Sequence, residues 1–103
     1  MGNLFEALPD NLNEEVFEVL TRGETTTIER IVSKGHTSPK TGWYDQEQHE
    51  WVVVLKGEAL LAFEHGESVC LTEGSYINIP AHTKHRVEWT NPNCETIWLA
   101  VHY

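Results

Sequence analysis

Residues 74 to 89 read Gly74-Ser75-Tyr76-Ile77-Asn78-Ile79-Pro80-Ala81-His82-Thr83-Lys84-His85-Arg86-Val87-Glu88-Trp89. A glycine opens a short apolar strand, Pro80 stops it because proline cannot donate to a sheet ladder, and a polar turn follows. His85 then begins a second strand, on which alternation gives Val87 and Trp89 the same face. This arrangement predicts one imidazole at the mouth of whatever the sheet encloses.

Working outward, the rest of the chain also reads as strands. Glu14 to Thr21 carries an apolar residue every fourth position, but Val16-Phe17 and Val19-Leu20 are strand formers that run straight into the Gly23 turn, so a strand is expected there. Thr25 to Ser33 is rich in β-branched residues and bounded by Gly23 and Gly35. Residues 34 to 42 form a polar loop. Trp51 to Leu55 and Glu58 to Phe63 make a hairpin around Lys56-Gly57, and strands follow at Ser68 to Leu71, Tyr76 to Ile79, from His85, and at Thr96 to Tyr103. Eight or nine short strands at spacings of about ten residues, with no helix, predict an all-β sandwich or barrel. Residues 1–13 read as an N-terminal arm and 14–103 as a single barrel domain.

The composition agrees with one small domain of 103 residues and a single core. Forty per cent apolar residues and ten aromatics are too many for a disordered chain. A net charge of -9 without any basic run would repel phosphate backbones and anionic lipid, which argues against nucleic-acid and membrane partners. No segment reaches the length of a membrane span, and Met1 to Asp10 does not read as a signal peptide. Cys70 and Cys94 form no metal or redox motif, so Cys70 is expected as a buried packing thiol and the setting as reducing and cytoplasmic.

Two spacings resemble the motifs of the cupin superfamily. Glu50, six residues and Gly57 are similar to the end of the first motif; Gly74, five residues, Pro80, four residues and His85 are similar to the second, with 16 residues between the glycines as in small bacterial cupins. The resemblance implies a cupin-type jelly-roll β-barrel. It also implies a divalent metal, held in that family by three histidines and a glutamate. Here the two histidine positions ahead of Glu50 fall on Tyr44 and Gln46, or on Trp43 and Asp45 with one more residue of spacing, so only Glu50 and His85 survive from the cage. The expected metal ligands are therefore Glu50, His85, Gln46 and Tyr44, a harder and weaker set that would take iron, manganese, nickel or zinc by availability more than by fit.

Alternation assigns the other candidates. His49 adjoins Glu50 and so points to the opposite face; His82 differs from His85 by an odd offset; His36, His65 and His102 are expected to be exposed. Trp43, Tyr44 and Asp45, on the loop entering the first motif, together with Trp89 on the His85 face, are expected to wall a small-molecule pocket, with Trp98 left to packing. The strand from 51 to 55 is apolar on both faces, which predicts a homodimer through its outer side.

Three functions fit these residues. A metal at Glu50 and His85 could serve an enzyme acting on a small oxygenated substrate, of the dioxygenase, isomerase or decarboxylase type that the resemblance implies. The pocket could bind a sugar or carboxylate without turnover. The barrel could also be a structural or interaction module.

Overall fold

The computed structural model describes residues 1–38 and 41–103. It contains eight strands and, among the described residues, no helix: β1 (Val16–Arg22), β2 (Thr27–Ser33), β3 (Glu50–Lys56), β4 (Ala59–Phe63), β5 (Val69–Leu71), β6 (Tyr76–Ile79), β7 (His85–Thr90) and β8 (Thr96–His102). The ambiguous N-terminal segment is a strand, as its β-branched content favours. All pairings are antiparallel. The larger sheet has the order β1-β2-β8-β3-β6 and the smaller one β5-β4-β7.

The two sheets close over a core of Ile31, Val52, Val54, Ala59, Leu61, Leu71, Ile79, Trp98 and Ala100. Alternation supplies it: Val52 and Val54 of β3 stand beside Ala100 and Trp98 of β8, so one face of each central strand turns inward. Each fully buried valine, leucine or isoleucine contributes about 1.5–3 kcal/mol through its removal from water. Because the larger sheet has five strands against three, β1 extends past its cover, and Phe17, although on the inner face beside Ile31, is left exposed.

The N-terminal arm is bound to the outer face of the larger sheet. The Arg30 guanidinium donates to the carbonyls of Leu4, Glu6 and Ala7 at 2.8–3.1 Å and to the Glu18 carboxylate at 3.0 Å. These acceptors are what allow an arginine to be buried in the middle of a sheet face.

One expectation fails here. Cys70 is exposed, because in the three-residue edge strand β5 only Leu71 is buried while Cys70 takes the other face.

Candidate functional site

The interior of the barrel opens into a cavity of about 130 Å³ between the two sheets. His85 reaches it from the start of β7, where backbone bonds hold the strand on both sides. Tyr44 pairs with His85 as an isolated antiparallel bridge, donating to its carbonyl at 2.8 Å and accepting from its amide at 3.2 Å. The turn before it is tight: His82 adopts φ 61°, and its amide donates to the Gln46 carbonyl at 2.8 Å. Glu50 arrives on the first residue of β3, opposite Ile79 of β6 and His102 of β8.

These two side chains come together. His85 Nε2 lies 3.4 Å from Glu50 Oε1, with the imidazole 6% and the carboxylate 12% exposed. His85 Nδ1 is 2.8 Å from the Thr83 carbonyl, which can only accept, so Nδ1 carries a hydrogen and Nε2 faces the cavity. A bare Nε2 lone pair facing a carboxylate would be repulsive; a proton between them removes the conflict. Burial works against the charged imidazole, but the bond to Glu50, the Thr83 carbonyl and the Glu50 charge outweigh it, and the His85 pKa is raised.

Of the other residues predicted from sequence, Gln46 and Tyr44 line the cavity, Tyr44 with its ring 5.8 Å from that of His85. Trp43 lies elsewhere, under the Arg86 guanidinium at 4.8 Å in a separate surface depression. Asp45 points outward and pairs with His82 Nδ1 at 2.8 Å. Trp89 is also outside the cavity. A β-bulge in β7 sets Val87 against Leu61 and Trp89 against Leu60, which leaves Glu88 as an extra residue and reverses the alternation. The face that Trp89 was expected to share with His85 passes to Thr90, which is buried.

His49 faces away as alternation requires: its Nδ1 accepts from the Ala81 amide at 3.0 Å and its ring packs on Tyr103. His102 departs from the reading. It is half-buried, lines the cavity, and places Nε2 2.9 Å from Glu29 Oε1. Glu15 and Trp98 line it too, joined through Ser33, whose hydroxyl donates to Glu15 and accepts from Trp98 Nε1 at 3.2 Å. The spacing 98, 100, 102 held the signal, since it puts His102 on the inward face of Trp98 and Ala100.

The donor set can be weighed against a divalent metal. Among the described residues no three His, Cys, Asp or Glu side chains converge as ligands. Glu50 and His85 are two charged or strong donors, Gln46 and Tyr44 are weak ones, and His102 is already engaged by Glu29. That falls short of the three protein donors of an ordinary catalytic site.

An eight-stranded, two-sheet barrel with a Glu–His pair at one end of its interior defines the class. The chain belongs to the cupin-domain family: the Cupin_2 family profile matches residues 28–102. Among solved structures it is similar to a protein from Ralstonia eutropha JMP134 provisionally named a mannose-6-phosphate isomerase, with 41% identity and a TM-score of 0.95 over 99% of this chain and 95% of that one. An RmlC-like cupin from Desulfovibrio desulfuricans, 22% identical, superposes with a TM-score of 0.80 over 99% of this chain and 93% of the other. An RmlC-like cupin with a double-stranded β-helix fold from Methanocaldococcus jannaschii, 20% identical, gives 0.71 over 92% and 84%. The last two show the fold alone. A comparison with curated proteins found no match.

Proposed function

We propose that the protein acts on a small oxygenated molecule held in the barrel cavity, with His85 and Glu50 as its acid and base. The observation that carries this reading is the position of His85 Nε2, buried, anchored from behind by Thr83 and 3.4 Å from Glu50. Protonated, His85 can give its Nε2 proton to a substrate carbonyl oxygen. The Glu50 carboxylate can take a proton from the neighbouring carbon or hydroxyl. One proton enters the substrate and one leaves, which is the balance of an isomerisation. The provisional name of the Ralstonia protein points in the same direction.

The short donor set favours a second reading, binding without turnover. A divalent cation in the cavity would have the Glu50 carboxylate as its anionic ligand and His85, neutral at Nε2, as its nitrogen ligand, with Gln46 and Tyr44 beside them.

Deuterium exchange separates the two readings. Small sugars, polyols and hydroxy acids that raise the melting point are incubated with the protein in heavy water, once with chelator and once with added divalent metal, and followed by NMR. Exchange at the carbon beside a carbonyl is expected in the wild type and about 100-fold less in Glu50→Gln and His85→Ala. Stabilisation without exchange would establish binding alone, and no response to any compound would refute both readings.

A homodimer is also proposed. On the outer side of β3 Trp51 is half-buried, and Tyr76 beside it is 68% exposed with its ring 5.7 Å from Trp51.

A further inference from the structure

Beside the Glu50–His85 pair the cavity carries a second one. Glu50 and His102 are direct cross-strand partners, so their side chains leave neighbouring strands on the same face, and His102 is bound to Glu29 at 2.9 Å. A third carboxylate, Glu15, receives the Ser33 hydroxyl. Every acid on the wall therefore has a partner already: two imidazoles and a hydroxyl.

The charges on this wall are one-sided. Three carboxylates face two imidazoles, so the lining has a net charge of -1 even with both histidines protonated. Of the seven lysines and arginines, Lys40 lies outside the described residues and none of the other six reaches the cavity. A phosphate would meet no guanidinium or ammonium and would approach carboxylates of its own sign. A cationic ligand would be drawn by the net charge, but to pair with a carboxylate it would have to displace the imidazole or hydroxyl already bound there.

What the wall does offer is spare hydrogen-bonding capacity. The carboxylates keep unused lone pairs, Gln46 and Tyr44 add an amide and a hydroxyl, and Leu61, Val52 and Trp98 form apolar stretches between them. Hydroxyl groups, each a donor and an acceptor on a carbon frame, match that mixture. We infer that the cavity selects an uncharged polyhydroxylated molecule, a free sugar or sugar alcohol, and discriminates against its phosphate ester, with Glu29 and His102 as binding residues. This rests on the reading of the cavity as a small-molecule site, and it departs from the phosphorylated substrate named for the Ralstonia protein.

Calorimetric titration at low ionic strength with D-mannose, D-mannosamine and D-mannose 6-phosphate compares one sugar frame in three charge states. D-Mannose should bind, the phosphate ester at least about tenfold more weakly, and mannosamine no more tightly than mannose. Added salt should narrow the gap between mannose and its phosphate. The isosteric Glu29→Gln should weaken mannose about tenfold while circular dichroism and thermal midpoint show it folded. Tighter binding of either charged sugar, no binding of mannose, or equal affinity in Glu29→Gln would overturn the inference. Phosphate-ester binding that disappears in Glu50→Gln would overturn it while leaving the proposed site in place.

Discussion

His85 keeps its proton to higher pH than an ordinary histidine near 6.5, since Glu50 and the Thr83 carbonyl outweigh the cost of burial. A folded-state pKa raised above the unfolded one stabilises the protein fully below the unfolded value, and the contribution fades as pH rises through the folded value. Urea unfolding of wild type and Glu50→Gln as a function of pH should show this. The wild-type advantage is expected to be largest in mildly acidic solution and to shrink above pH 6.5, because a neutral imidazole gains nothing from a carboxylate that Gln cannot replace. A constant difference across that range would mean that the pair is not linked to folding. The two residues concerned were legible from motif spacing. Alternation from Trp98 could also have turned His102 inward, but its partner Glu29 was not legible, because that pairing depends on β2 and β8 being neighbours, and no local pattern in residues 27–33 announces a partner near the other end of the chain.

At the scale of the element, the strand positions were readable and their irregularities were not. Apolar runs and glycine turns located all eight strands, but alternation predicts a face only as long as no residue is inserted. The extra Glu88 turned Trp89 out of the cavity, and similar irregularities occur between Val19 and Thr21 in β1 and between Val54 and Lys56 in β3. The β3–β4 turn is more strictly encoded. Gly57 sits at φ +93°, and a Cβ there would meet Thr96 Oγ1 at 2.5 Å and Thr96 Cα at 2.7 Å. Backbone atoms cannot swing aside as a flexible side chain could, so Gly57→Ala should cost at least about 2 kcal/mol in urea unfolding. Gly66→Ala is the control and should be nearly neutral, since its nearest neighbour is Phe63 Cβ at 3.5 Å.

For the whole molecule, the closed two-sheet architecture followed from strand number, strand length and the strand-forming residues that outweighed the one four-residue repeat at 14–21. The uneven split into five and three strands did not, because strand order depends on long-range pairing. The outer side of β3 faces away from the smaller sheet, and beside it Tyr76 of β6 is exposed. Sedimentation of the protein at micromolar concentration is expected to give twice the 11.8 kDa chain mass, and Tyr76→Arg should shift it to the monomer, since an exposed ring can be replaced by a charge with little cost to folding. A wild-type monomer under those conditions would refute the dimer.

The guanidinium of Arg30 gives the first residues a part in the architecture that their position at the chain's start would not suggest. Three of its acceptors are main-chain oxygens between Leu4 and Ala7, so no side-chain replacement there can substitute for the path of the backbone itself. Trimming that lead-in would strand a positive charge on an apolar sheet with Glu18 as its remaining acceptor, and the loss would be felt first by β2, the strand that carries Glu29 into the cavity.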